Sequence, residues 1–130
     1  MGDRANVVIP QEGHDGLNVY LYTHWGGSEL PAAVQKALAR RVRWDDQQYL
    51  ARIIFEAMTE RLVGAETGHG ITACPWDGQG KLVVVDTAKQ EVRLQLGDFK
   101  GLPRGEPQAY SFEAYVALPP DEVGWPEEAD

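Results

Sequence analysis

The sequence has a single cysteine, Cys74, a shortage of basic residues and no long apolar run. One cysteine excludes a framework of internal disulfides. No apolar stretch approaches the roughly 18 residues that a membrane span needs, and the N-terminus lacks the basic and then apolar segments of a signal peptide. We therefore expect a protein that stays in the cytosol of the cell that makes it and has no membrane partner.

The charge balance is strongly acidic, with 12 Lys and Arg against 20 Asp and Glu and a formal net charge of −8. Proteins that bind nucleic acid normally show the opposite balance, because neutralising phosphates supplies most of the non-specific affinity. Generic nucleic-acid binding is therefore disfavoured, whereas a basic protein surface would suit the charge. Acidic residues crowd the end of the chain, so we expect one domain at 1–118 and an acidic C-terminal tail at 119–130.

Hydrophobic periodicity predicts strands and helices in separate blocks rather than in alternation. Five strands are predicted, near Asn6–Ile9, Leu17–Trp25, Ile71–Cys74, Lys81–Asp86 and Glu91–Leu96. Two amphipathic helices are predicted over 28–41 and 45–63, and 97–108 is predicted as loop, while 111–118 fits either a short helix capped by Ser111 or a strand. This order is typical of an α+β fold, with a mainly antiparallel sheet of about five strands and the two helices packed on one face.

Polar residues in front of each helical pattern indicate where the helices begin. Ser28 is the expected N-cap of the first helix. For the second helix we expect Asp45 as N-cap, Gln48 as its capping-box partner, and Trp44 with Tyr49 as a hydrophobic staple.

The stretch Leu17–Gly27 alternates at period two and then enters a glycine pair. Side chains of a strand point alternately to its two faces. One face carries Leu17, Val19, Leu21, Thr23 and Trp25, and the other carries Asn18, Tyr20, Tyr22 and His24. His24 and Trp25 therefore form one cluster only if the glycine turn rotates Trp25 to the other side.

The junction of this strand with the first helix is the leading candidate site. Amide N–H groups near a helix N-terminus attract anions, and an aromatic ring offers a stacking surface. His69, in a glycine-flanked loop, and Arg40 are added as further contacts. The predicted ligand-binding residues are Tyr22, His24, Trp25, Gly26, Gly27, Ser28, Arg40 and His69. The simpler interpretation is that the glycines only make a tight exit from a strand into a helix.

Catalytic and metal chemistry have weaker support. Cys74 with His24 or His69 suggests a thiol nucleophile, but no flanking motif accompanies it. His14 with Asp15, His24 and His69 lacks the local spacing of zinc motifs. We predict no catalytic residue, no metal and no cofactor.

Four segments resemble small proteins without an assigned activity that tailed bacteriophages and prophages encode, especially those of actinobacterial hosts. These segments are Val19–Gly27, Arg43–Phe55, Glu66–Ile71 and Val84–Asp86. The resemblance implies a phage product that acts in the cytosol of a host cell, and it assigns a role to no residue.

Three functions follow as hypotheses. The first is a non-catalytic binder of a small anionic, nucleotide-like ligand, which would counter host defence signalling. The second is an acidic protein that inhibits a host enzyme through its surface. The third is a small enzyme that depends on His or Cys, and a homo-oligomer is compatible with all three.

Overall fold

The computed structural model describes residues 4–10, 18–60, 68–72, 80–97 and 106–126. The strands are β1 (Ala5–Ile9), β2 (Val19–Thr23), β3 (His69–Thr72), β4 (Lys81–Asp86), β5 (Glu91–Leu96) and β6 (Gln108–Ser111), and the helices are α1 (Leu30–Ala39), α2 (Gln47–Thr59) and α3 (Phe112–Val116). Two 3-10 turns lie at Gly27–Glu29 and Pro120–Glu122. The predicted α+β class is confirmed, with six described strands instead of about five, because β6 is a strand that the sequence pattern did not predict.

The strands form a single sheet in the order β3-β2-β1-β4-β5-β6. Neighbouring strands run antiparallel except β1 and β4, which are parallel with Val7 beside Val83. A parallel pair needs a long connection, and here that connection carries β2, α1, α2 and β3. The sheet is therefore mixed, although mainly antiparallel as predicted.

One face of the sheet carries α1 and α2 over a continuous apolar core. Alternate strand residues point to this helix face, among them Val7, Leu21, Val83 and Leu94. They pack in one cluster with Leu30, Val34, Ala37 and Leu38 of α1 and with Leu50, Ile53 and Ile54 of α2. The prediction of two helices on one face is confirmed. Within the described ranges, the structure contains no helix with the length and apolar character of a membrane span.

The beginning of α2 differs from its prediction by one residue. Asp46, not Asp45, is the N-cap, and its carboxylate accepts the N–H of Tyr49 at 3.1 Å. The turn before the helix sets this position, because Asp46 donates its own N–H to the carbonyl of Arg43, which has a left-handed φ of 60°. The predicted capping box is therefore wrong. The predicted staple is wrong as well, since Trp44 packs on Phe112 and Tyr49 is exposed.

The ends of α1 also correct the prediction. The helix begins at Leu30, after the 3-10 turn at Gly27–Glu29, and no side chain caps either the turn or the helix. Ser28 is therefore not the N-cap. The helix ends at Ala39, two residues before the predicted end, and Arg41 has a left-handed φ of 55°.

Strand β3 begins earlier than predicted, at His69 instead of Ile71. Its register with β2 pairs His69 with Thr23 and Gly70 with Tyr22. These two residues belong to the strand because β2 supplies their pairing partners, although neither has a strong preference for strands. Cys74, the predicted end of this strand, lies outside the described residues.

The C-terminal part of the described chain packs on the domain. Ser111 caps α3 by accepting the N–H of Ala114 at 3.1 Å, which confirms the helical alternative for this segment. Val123 and Trp125, within the segment predicted as an acidic tail, pack against the core. The indole Nε1–H of Trp125 donates to the carbonyl oxygen of Gly27 at 2.8 Å and thereby fastens the segment to the turn before α1.

Candidate functional site

Three aromatic side chains meet where β2 ends, on the face of the sheet opposite to the helices. The ring centroids of Tyr22 and His24 are 5.4 Å apart with an edge-on geometry, and those of His24 and Trp25 are 6.1 Å apart. Since β2 ends at Thr23, the strict alternation of side chains ends there too, and Trp25 turns toward the side of His24. We call Tyr22, His24 and Trp25 the aromatic corner.

Two glycines of the neighbouring chain segment make room for these rings. A methyl group on Gly68 would lie 2.6 Å from Trp25 Cε3, and one on Gly70 would lie 2.5 Å from Tyr22 Cε2. Both distances are too short for real carbon contacts, so each ring lies directly against glycine backbone. Gly68 also has a φ of 71°, which glycine adopts without strain. An aromatic ring that covers a glycine across two strands is a known stabilising pair in sheets.

The glycine turn after the aromatic corner is closed by internal hydrogen bonds. Thr23 is 2% exposed, and its Oγ1 accepts the N–H of Gly26 at 2.9 Å. The N–H of Glu29 donates to the carbonyl of Gly26 at 3.1 Å, and that of Leu30 donates to Gly27. Three of the amides near the helix N-terminus are thus already satisfied. An anion at this place would depend on side chains more than on the backbone donors that the sequence suggested.

Arg4 is a neighbour of this site that the sequence pattern did not indicate. Arg4 directly precedes β1, whose first residue, Ala5, pairs with Thr23 at the end of β2. Asn6, two residues further along the chain, pairs with Tyr22 of the aromatic corner. A guanidinium group is therefore placed at the sheet end that carries the aromatic corner. The antiparallel pairing of the first two strands is the signal that points to it.

His69 does not join the aromatic corner. It pairs with Thr23 and so lies on the helix face of the sheet, opposite to Tyr22 and His24. Its Nε2 is 3.7 Å from the position that a methyl group on Gly26 would take, so the side chain approaches the glycine turn from the other side. The structure therefore brings His24 and Trp25 together, and it separates His69, a predicted ligand contact, from both of them.

The arginines at the end of α1 have local partners far from the corner. Arg40 lies ten residues along α1 from the turn, about 15 Å at the rise of an α-helix, and pairs with Glu56 at 3.3 Å. Arg41 pairs with Glu113 at 2.7 Å, and this hydrogen bond lowers the pKa of Glu113 and raises that of Arg41. Arg40, a predicted ligand contact, is therefore placed in the groove between the two helices and away from the aromatic corner.

The other two predicted site residues in the turn before α1 differ in exposure. Gly27 is buried, and Ser28 is exposed within the 3-10 turn. In the part of the chain that the structure describes, no group of three or more His, Cys, Asp or Glu side chains is arranged to hold a metal ion. Residues His14 and Cys74, named in the alternative hypotheses, lie outside that part. Comparison with protein-family models, with curated proteins and with solved structures finds no match.

Proposed function

We propose that this protein is a non-catalytic binder of a small, flat, anionic ligand of the nucleotide type. The observation that carries the proposal is the aromatic corner, in which Trp25 is 63% exposed although it lies against His24 and the backbone of Gly68. A large apolar ring that is both exposed and fixed in position is a suitable stacking surface for a base.

The ligand's negative charge would be met by a side chain of the same sheet end. The planar guanidinium of Arg4 presents several N–H donors, and its geometry suits a phosphate group. The chain as a whole has a net charge of −8, which would repel a polyanion. A single nucleotide carries far fewer phosphates than a nucleic acid, so local contacts can outweigh this repulsion.

The resemblance to phage proteins supplies a setting for the proposal. A phage product that binds a nucleotide without converting it would withhold that nucleotide from the host. The ligand would then be a nucleotide signal of a host defence system, and the protein would act in the host cytosol in amounts comparable to its ligand.

Calorimetric titration with a panel of mononucleotides, dinucleotides and cyclic nucleotides tests the proposal. We expect at least one to bind with micromolar or tighter affinity and Trp25→Ala to weaken that binding about 5- to 150-fold, the range of one stacked base. Arg4→Gln should weaken binding of the nucleotide but not of the matching nucleoside. Tyr49→Ala is the matched control, because Tyr49 is 39% exposed and lies on α2, away from the corner.

Absence of heat with every nucleotide, or equal affinity of the Trp25→Ala variant, would refute the proposal.

A second candidate function is then favoured by the same exposed ring, because tryptophan is enriched among the residues that dominate protein interfaces. In that case the acidic protein would inhibit a host enzyme through this surface. A lysate pull-down should recover a reproducible partner with the wild type and lose it with Trp25→Ala.

A further inference from the structure

A cavity of about 360 Å³ lies on the helix face of the sheet, between α2 and the strands β2 and β3. It is separate from the aromatic corner, which occupies the opposite face. Its described lining includes Val19, Leu21 and Ile71 from the strands and Gln47, Arg52 and Phe55 from α2. The side chains from the strands are all apolar, and the polar ones all come from α2.

The cavity exists because the helix layer stops short of the sheet edge. Leu21 and Ile71 are cross-strand partners and share the helix face, yet Leu21 is 1% exposed and Ile71 is 62% exposed. The difference arises within one strand spacing, since β3 is next to β2 at the end of the sheet. An aliphatic side chain so exposed beside an apolar cavity offers surface that water solvates poorly.

The polar groups of the cavity are concentrated on one side. Arg52 places its guanidinium 4.7 Å from the centre of the Tyr49 ring and pairs with Glu56 one turn further along α2. The ring and the carboxylate together hold this charge near the cavity. Because the ion pair is exposed, a second carboxylate can share or replace Glu56 at little cost.

We propose that this cavity binds a small amphipathic carboxylate, with its apolar body against Leu21, Phe55 and Ile71 and its carboxylate toward Arg52. At the roughly 30 Å³ that one water occupies in the liquid, the volume holds about a dozen heavy atoms. This is at the lower end of ligand-binding cavities. A medium-length acyl carboxylate such as decanoate, which has about twelve heavy atoms, matches both the size and the one-sided polarity.

Decanoate and its neutral analogue decanol are the probes, titrated against the full chain by NMR chemical shifts below their micelle or solubility limit. Decanoate should shift the signals of the lining residues and bind more tightly than decanol. Ile71→Gln should weaken decanoate binding about fivefold or more, because burial of a single methylene already corresponds to roughly a factor of four. Arg52→Gln should weaken decanoate about two- to fivefold, the range of an exposed ion pair, and leave decanol unchanged.

Val42→Gln is the matched control, since Val42 is an exposed aliphatic residue outside the cavity lining. The proposal is overturned if neither probe binds, if Val42→Gln weakens binding as much as Ile71→Gln, or if Arg52→Gln affects both probes equally. It is also overturned if sedimentation shows a dimer that Ile71→Gln dissociates, because a second copy would then cover the cavity. Nucleotide binding at the aromatic corner is measured separately with Trp25→Ala, so either site can fail while the other stands.

Discussion

The contact between Tyr22 and Gly70 gives the sharpest prediction, because one added methyl group should have opposite effects in two backgrounds. A Cβ atom on Gly70 would lie 2.5 Å from Tyr22 Cε2 and closer still to the hydroxyl end of the ring, so Gly70→Ala must displace the ring. Forcing a methyl group into filled space costs about 1–3 kcal/mol. Alanine in a strand gains roughly 0.5–1 kcal/mol over glycine from backbone entropy. The net effect of Gly70→Ala should be a loss of up to about 2.5 kcal/mol.

In a Tyr22→Ala background the ring is absent, and only the entropic term remains. Gly70→Ala should then stabilise the protein by roughly 0.5–1 kcal/mol. The double-mutant cycle should therefore show a coupling of about 1–3 kcal/mol between the two positions. Urea unfolding followed by circular dichroism measures each free energy of unfolding, and about 4 °C in Tm accompanies each kcal/mol for a chain of this size.

Gly124→Ala is the control, because no atom lies within 4 Å of the added methyl group and its effect should stay within about 0.5 kcal/mol. Additive effects of Tyr22→Ala and Gly70→Ala, within about 0.5 kcal/mol, would refute the close contact. They would also remove the physical basis of the aromatic corner, since its rings would not rest on the glycines.

Three further perturbations test the surrounding fold by urea unfolding. Asp46→Ala should lower the free energy of unfolding by about 1 kcal/mol, because α2 loses its N-cap. Asp45→Ala should change the free energy of unfolding by less than about 0.5 kcal/mol. The reverse order of the two effects would contradict the observed cap. Tyr115→Phe should cost about 1–3 kcal/mol, because the Tyr115 hydroxyl donates to the buried carbonyl of Pro31 at 2.7 Å. Burial raises the pKa of the Tyr115 hydroxyl above its value near 10 in the unfolded chain. The protonated hydroxyl therefore contributes fully to the free energy of unfolding below pH 10, and this contribution is lost as the pH rises further. Wild-type stability should thus fall above pH 10 by up to about 1.4 kcal/mol per pH unit more than that of the Tyr115→Phe variant, and parallel pH curves would disprove it. Trp125→Phe should cost about 0.5–1.5 kcal/mol, because the indole N–H no longer reaches the turn before α1, and an unchanged midpoint would contradict that bond.

Local patterns were sufficient where the apolar period was strong. The predicted strands Lys81–Asp86 and Glu91–Leu96 coincide with β4 and β5, since β4 contains a run of three valines and β5 alternates strictly between polar and apolar residues. Strand β6 was not predicted, because Gln108–Ser111 holds a single large apolar residue and its extended form depends on pairing with β5. A strand held by its neighbour leaves little trace in its own sequence.

The aromatic corner was predictable only in part. Alternation placed Tyr22 and His24 on one face, but the turn of Trp25 onto that face depends on the backbone of Gly68, which belongs to a distant part of the chain. Arg4 was not found because its position follows from the pairing of β1 with β2. The offset of the α2 cap has a different cause, since Asp45 and Asp46 are equivalent locally and the backbone of the preceding turn selects one.

Strand β3 connects the two proposed sites, because its successive residues face opposite sides of the sheet. Gly70 lies under Tyr22 on one face, and Ile71 lies beside Leu21 on the other. A slip of one residue would exchange these faces, placing a side chain under the Tyr22 ring and removing Ile71 from the cavity. In the slipped register, the side chain opposite Tyr22 would have no space, since even a methyl group at the position of Gly70 collides with that ring. Gly70 therefore has two roles. It leaves space for the Tyr22 ring, and because it excludes the alternative register of the four-residue edge strand, it also keeps Ile71 in the lining of the cavity.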